Sequence, residues 1–332
     1  MKATSTNARP ARWSVFDLAE GFHLACALVA LDRRGILKSL GRACAIRTLA
    51  ARHRVDRGML EAALQMLAAR TDLIARNGDT YRLTRKYDAY ARFVIGQYLR
   101  TYGANAIALD RILPRPGLAA ALIDRRQHPV AFHETPAFSS VMLGDLIVQL
   151  CLNHVLDLGC GTGIMLHDLA VRIPNFVGWG LDINPAMCAA ARKRVRSVGA
   201  AVPIRIIRGD CYDPGSTIPA AIARQVRTIT SASVANEFFG AGTDAAAAWL
   251  ANLKKAFPGR LLLIGDYYGR LGHRNNPPRD IALHDFVQVI SGQGVPPPAL
   301  KTWRKIYRAG GVTLVHAIED REASCFVHLI KL

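Results

Sequence analysis

The sequence predicts an α/β protein: a doubly wound seven-stranded sheet with an antiparallel last strand, preceded by a mostly α winged-helix domain. Three observations predict it. The stretch Val155-Leu-Asp-Leu-Gly-Cys-Gly-Thr-Gly163 runs from a strand-like segment into a loop with glycine at every second position, and Ile164 to Val171 continues as a helix. Strand-like and helical runs then alternate to Leu329, as a doubly wound sheet requires. Upstream, two short helices precede a hairpin signal at Asn77-Gly78-Asp79.

A chain of 332 residues suggests two domains. We place them at 1–130 and 131–332. No apolar run reaches the roughly 18 residues that cross a bilayer, and Met1 to Pro10 lacks the apolar core of a signal peptide. Seven cysteines form no CxxC pair, which fits reduced thiols in a cytoplasm rather than a disulfide frame or zinc site. The net charge is +18, split as +12 over residues 1–130 and +6 over the rest. A basic excess can serve nucleic acid. Arginine far outnumbers lysine and alanine is abundant, however, as a GC-rich coding sequence also produces, so the charge carries little functional weight.

Val15 to Leu31 is apolar on most sides of a helix and needs burial in a core or against a second subunit. Gly35 stops it. Thr48–Asp56 and Met59–Arg70 read as helix–turn–helix, with Asp56 as N-cap, and Leu73–Arg76 with Thr80–Thr84 forms the hairpin. Such a winged helix can enter a DNA groove, but its second helix is alanine-rich and offers few side chains to read bases. Ala89 to Asp124 is helical, interrupted at Leu113-Pro-Arg-Pro-Gly117, and Ala137 to Leu150 leads into the first strand of the sheet. The seven strands are Val155–Leu158, Val177–Asp182, Ile204–Gly209, Val226–Ser231, Leu261–Asp266, Val312–Ala317 and Cys325–Leu329. A polar turn at 319–323 joins the last two into a hairpin.

Gly159, Gly161 and Gly163 permit a tight reversal against a ligand, and the loop ends at a helix N-terminus that favours an anionic group. A dinucleotide fingerprint would place its third glycine at position 164, which is isoleucine. The pattern Asp157-x-Gly159-x-Gly161-x-Gly163 instead resembles the first motif of the class I S-adenosylmethionine-dependent methyltransferases. Phe176 to Asp182 adds a second strand ending in an acid, 19 residues beyond Gly163, where a carboxylate can accept both ribose hydroxyls. Together with the winged helix, the order of elements resembles the small-molecule O-methyltransferases. In these the N-terminal domain serves dimerisation and covers the site, which implies a Rossmann-like catalytic domain and a homodimer.

The resemblance implies S-adenosyl-L-methionine as cofactor. Asp157, Gly159, Gly161 and Gly163 would hold its methionine half, Asp182 its ribose, and Ile183 its adenine face. Asp210, with Cys211 beside it, would bond the adenine amino group. Methyl transfer needs nucleophile, methyl and sulfur in line, and a hydroxyl acceptor needs a base. Plant-type relatives carry a histidine after the fourth strand; Ser231 to Gly240 contains none. C- or N-methylation, or methylation of an already acidic oxygen, therefore stands level with phenol O-methylation.

The remaining candidates end neighbouring strands. Asn236 and Glu237 follow the fourth strand and Tyr267 the fifth; His284 and Gln288 share one face of the helix resembling the family's substrate-facing one; His133 lies just before the catalytic domain. We take His284, Glu237 and Tyr267 as catalytic, and Asn236, Gln288 and His133 as acceptor-binding. No spacing requires a metal. The expected function is transfer of a methyl group to a small organic acceptor in secondary metabolism. A non-methylating enzyme on the same scaffold and a winged-helix nucleic-acid-binding protein are the alternatives.

Overall fold

The computed structural model describes residues 12–134, 138–199, 203–271, 279–320 and 324–332. The N-terminal arm and the turn residues 321–323 lie outside these. Contacts divide the chain into two units, Met1–Arg100 and Thr101–Leu332. No described helix is long and apolar enough to cross a membrane.

The first unit opens with α1 (Val15–Arg33), started by a capping box in which Ser14 and Asp17 satisfy each other's backbone N–H groups. Then come α2 (Ile36–Ser39), β1 (Cys44–Ala45), α3 (Ile46–His53) and α4 (Arg57–Arg70). Asp56 caps α4 as expected, its Oδ1 accepting from Met59 N at 2.8 Å. β2 (Ile74–Asn77) and β3 (Thr80–Leu83) form the expected hairpin, with Asn77 opposite Thr80 and Gly78 at φ +59° in the turn. β1 adds to β3, giving the order β1-β3-β2. Leu37, Leu49, Leu64, Leu67 and Tyr81 form the core. Only the last turns of α1 join it, through Leu28 and Leu31. Trp13, Val15, Phe16, Leu18 and Phe22 are exposed, so this chain alone buries only half of the apolar helix.

The first unit ends with the short helix α5 (Ala89–Val94), and the second begins with the short helices α6 (Gly103–Ile107), α7 (Leu109–Ile112) and α8 (His128–Ala131). The domain boundary expected near residue 130 thus falls at Arg100/Thr101. The reason is that residues at the start of 101–134 hydrogen-bond to positions near 290 in the sheet unit. Asn105 Nδ2 donates to Ala119 O and Ile290 O, and Tyr102 Oη donates to Gln293 Oε1 at 3.1 Å.

After α9 (Phe138–Gln149) the strands follow as β4 (Val155–Leu158), β5 (Gly178–Asp182), β6 (Ile204–Arg208), β7 (Thr228–Ala232), β8 (Leu261–Tyr267), β9 (Thr313–Asp320) and β10 (Cys325–Lys331). Their order is β6-β5-β4-β7-β8-β10-β9, and β10 alone runs antiparallel, paired to β8 and β9. The helices between them include α10 (Ile164–Arg172), α11 (Pro185–Arg196), α12 (Pro214–Thr217), α13 (Ala220–Gln225), α14 (Thr243–Ala256), α15 (Arg279–Ile290) and α16 (Leu300–Ala309). Both faces are covered. Leu156, Trp179, Leu262 and Phe326 pack against α14 and α16, whereas Val155, Leu263 and Val327 pack on the other side with Leu143, Leu166 and Ile147. Alternation along each strand produces the two layers.

A buried chain of hydrogen bonds pins α16 to the sheet. Tyr307 Oη donates to His328 Nδ1 at 2.6 Å, His328 Nε2 donates to Tyr268 Oη at 3.2 Å, and Tyr268 Oη donates to Glu319 Oε1 at 2.5 Å. The proton on His328 is assigned to Nε2 because both tyrosines are then satisfied. Burial pulls the His328 pKa down to about 3, so the ring is neutral.

Candidate cofactor and acceptor site

The glycine loop lies at the C-terminal ends of β4 and β5, where open α/β sheets bind ligands. Its three glycines are needed for different reasons. All have positive φ: +67°, +54° and +71° at Gly159, Gly161 and Gly163. A Cβ on Gly159 would come within 2.3 Å of Val234 Cγ2, and one on Gly163 within 3.1 Å of Ala191 Cβ on α11. A Cβ on Gly161 would meet nothing within 4 Å, so that turn faces open space. Gly163 precedes α10, whose first N–H groups point toward the loop.

Asp182 holds this loop. Its Oδ2 accepts from Gly161 N at 2.9 Å and its Oδ1 from Asn184 N at 2.8 Å. Each oxygen keeps lone-pair capacity for a diol. Burial raises its pKa, while the Asn184 and Gly161 N–H groups and the Arg125 guanidinium favour the charged form. Ile183, next along, is 56% exposed, an apolar side chain left bare where an adenine face would cover it. Asp210 is exposed and its Oδ1 accepts from Tyr212 N at 2.8 Å, so it makes a local turn and keeps its other oxygen available. Cys211 is half-buried beside it. Burial and the neighbouring Glu237, Asp210 and Asp182 carboxylates keep its thiol protonated. Asp157 is placed differently: it lies buried beneath the loop, with Thr230 Oγ1 donating to its Oδ1 at 2.9 Å, and burial lifts its pKa to about 7.

The ends of β7 and β8 form the other side. Asp266, 1% exposed, accepts from Tyr267 N and Asn236 N, and burial lifts its pKa to about 7. It thereby ties the two strand ends together. Asn236 is buried with its Oδ1 lacking a hydrogen-bond partner. Glu237 follows β7: burial of its carboxyl raises its pKa, with Arg125, Asp182 and Asp210 its charged neighbours. It is nonetheless solvent-exposed, as a residue lining an open recess would be. His284 and Tyr267 meet edge-to-face with ring centroids 4.9 Å apart. Gln288 Nε2 lies 3.3 Å from His284 Nε2, and as placed the amide donates, leaving the imidazole proton on Nδ1. His133 is exposed; its backbone N–H donates to Val130 O and its carbonyl accepts from Arg194.

Sequence reasoning missed two residues near this site. His128, five positions before His133, lies between the rings of Tyr102 and Phe132, with its Nε2 buried and without a hydrogen-bond partner. Burial, then Arg125, pull its pKa down to about 4. Arg125 is the cation that faces both Asp182 and Glu237. Neither lies in a motif, and both come from a segment assigned to the other domain.

The buried groups set a pH dependence. Asp157 and Asp266, at about 7, retain protons that the unfolded chain loses near 3.8, so their contribution to stability falls as pH rises through that window. His128 and His328, at about 4 and about 3, refuse protons that the unfolded chain takes up below 6.5, so theirs falls as pH drops. Between about pH 4 and 6.5 the two pairs oppose each other. A nearly flat melting temperature is expected there. Asp266→Asn should tilt it, with stability declining on acidification; a variant profile parallel to wild type would contradict the assignment.

Residues 155–255 match the family model described as methyltransferase domain. Over whole chains the fold is similar to that of the mitomycin 7-O-methyltransferase, at 15% identity over 96% of each chain with a TM-score of 0.70. It is also similar to a methyltransferase of calicheamicin biosynthesis in its SAH-bound form, at 18% identity over 95% of this chain and 96% of that one, TM-score 0.62. A third is the N,N-8-amino-8-demethyl-D-riboflavin dimethyltransferase of Streptomyces davawensis, at 18% identity over 97% and 99%, TM-score 0.61. Residues 155–255 thus carry the methyltransferase-domain match, and the seven-stranded sheet with its helical N-terminal region has the fold of these neighbours.

Proposed function

We propose that the protein transfers the methyl group of S-adenosylmethionine to a small organic acceptor in secondary metabolism. The observation that carries this reading is the cradle at the ends of β4 and β5. Asp182 braces Gly161 and keeps capacity for a ribose, Gly161 opens onto free space, and Ile183 stands bare beside them. Gly159, Gly161, Gly163 and Asp182 would hold the cofactor, with Asp210 at the adenine edge. When bound, it supplies an electrophilic methyl on a cationic sulfur.

The chain's own residues then orient and deprotonate. Asp266 fixes Asn236, whose buried Oδ1 can accept from an acceptor N–H or O–H. His284, steadied by Tyr267 and Gln288, takes a proton at Nε2 once the acceptor displaces the Gln288 amide. Glu237 has Asp182 and Asp210, the acids assigned to the cofactor, among its charged neighbours, which favours an electrostatic role over proton transfer from the acceptor. Asp157 supports the loop from below.

Isothermal titration should show one S-adenosylmethionine site per chain, and a coupled SAH-release assay over phenolic, amine and carbon acceptors should find turnover. Absence of binding would remove the reading. His284→Ala is expected to lower turnover at least about tenfold, within the range ascribed to general bases, with cofactor affinity changed less than about twofold. An unaltered rate returns His284 to a packing role.

The same reading includes a cytoplasmic homodimer. Trp13, Val15, Phe16, Leu18 and Phe22 form an exposed apolar strip on and before α1, and a second copy is the occupant the reading assigns to it. Light scattering should return twice the 36.2 kDa chain mass; a monomer across the micromolar range would refute it.

A further inference from the structure

The segment Arg125 to His133 is held at three of its backbone carbonyls by side chains of the sheet unit. Asn184 Nδ2 donates to Arg125 O at 2.9 Å, Thr162 Oγ1 donates to Phe132 O at 3.2 Å, and Arg194 Nη2 donates to His133 O at 2.5 Å. The three donors come from the cap of α11, the glycine loop and the last turn of α11. Two of them adjoin the residues that would hold the cofactor. The segment itself carries Arg125, which faces Asp182 and Glu237, and His128, whose Nε2 is buried without a partner. Behind it, Asp124 N donates to Thr101 O and Tyr102 Oη to Gln293 Oε1, so the strap is tied to the acceptor side as well.

We propose that Arg194 is a positioning residue. With Thr162 and Asn184 it clasps the Arg125–His133 strap along the cofactor cradle, and this strap is the gate through which S-adenosylmethionine enters and SAH leaves. The proposal rests on the cradle reading above. Hydrogen bonds to carbonyls act on the strap's backbone, so the clasp fixes where Arg125 and His128 stand whatever the sequence between them. A gate of this kind should slow entry and exit together and change equilibrium affinity little. Arg194 is the informative member because, unlike Thr162 and Asn184, it does not adjoin in sequence a residue that would hold the cofactor.

The test uses the full chain as wild type, Arg194→Ala and Arg194→Lys, with SAH as the probe. Stopped-flow displacement gives the exchange rates, calorimetry the affinity, and hydrogen exchange the protection of amides 125–133. In wild type, SAH should slow exchange across 125–133. Arg194→Ala should raise association and dissociation rates each by about tenfold, the size expected for losing one charge-assisted hydrogen bond, while affinity moves less than about threefold. Arg194→Lys, which can still donate, should fall between. Wild-type exchange at 125–133 unchanged by SAH, or Arg194→Ala rates equal to wild type, overturns the clasp. If Arg194→Ala does not fold, the lysine variant and the wild-type exchange pattern decide. A wild type that fails to bind SAH at all is a different failure: it sinks the cradle reading, and the clasp with it.

Discussion

Asp182→Ala is expected to weaken S-adenosylmethionine binding by at least about a hundredfold. The expected loss counts two hydrogen bonds that ribose hydroxyls donate to a charged carboxylate, each worth about 1.5–3 kcal/mol, against about 1.4 kcal/mol per tenfold. The loss should exceed that of the diol alone, because the same carboxylate braces Gly161 N and Asn184 N. Asp182→Asn would separate the parts: its one remaining oxygen can brace the loop, but the amide cannot accept a second hydroxyl. Titration calorimetry checks both. An alanine variant with wild-type affinity would remove Asp182 from the cofactor site.

Gly159→Ala should be among the most damaging single methyls in the sheet unit. The new Cβ would sit 2.3 Å from Val234 Cγ2, on a backbone at φ +67°. Overpacking of this kind costs about 1–3 kcal/mol, and forcing alanine into left-handed backbone adds about 1 kcal/mol. Denaturant titration should therefore show about 2–4 kcal/mol of lost stability, with cofactor binding abolished because the loop must shift. Val234→Ala in the same chain should recover the overpacking part and leave the backbone part. If the double variant is no more stable than Gly159→Ala, the clash is not what makes this glycine necessary.

Much of this could be read before folding because the signals are local. Alternate glycines, the strand they follow and the acid at Asp182 lie within 28 residues of one another, and each strand announces itself by its own composition. The β10 hairpin was legible for the same reason. What failed was what depends on distant partners. The segment after Thr101 reads as helix interrupted only at Leu113-Pro-Arg-Pro-Gly117 but breaks into shorter pieces, with Asn105 and Tyr102 bonded to residues 290 and 293 far along the chain. His128 and Arg125 lie in that segment outside any motif, and only the folded chain brings Arg125 close to Asp182 and Glu237. Glu237 illustrates the other limit: its position after β7 was clear, but its charged neighbours Arg125, Asp182 and Asp210 come from other parts of the chain. Asp266 likewise looks like one more strand-end acid until Asn236 N is found on it.

The placement of β10 has a consequence for how the chain assembles. β9 is made first along the sequence, yet it meets the sheet only through β10. The five parallel strands from β6 to β8 can zip together on their own, after which β9 has to wait with no hydrogen-bonding neighbour. A chain interrupted before Cys325 would therefore present β8 as a bare, apolar edge, open to any passing strand. Late closure of that gap makes the last hairpin the step most exposed to misassembly during synthesis.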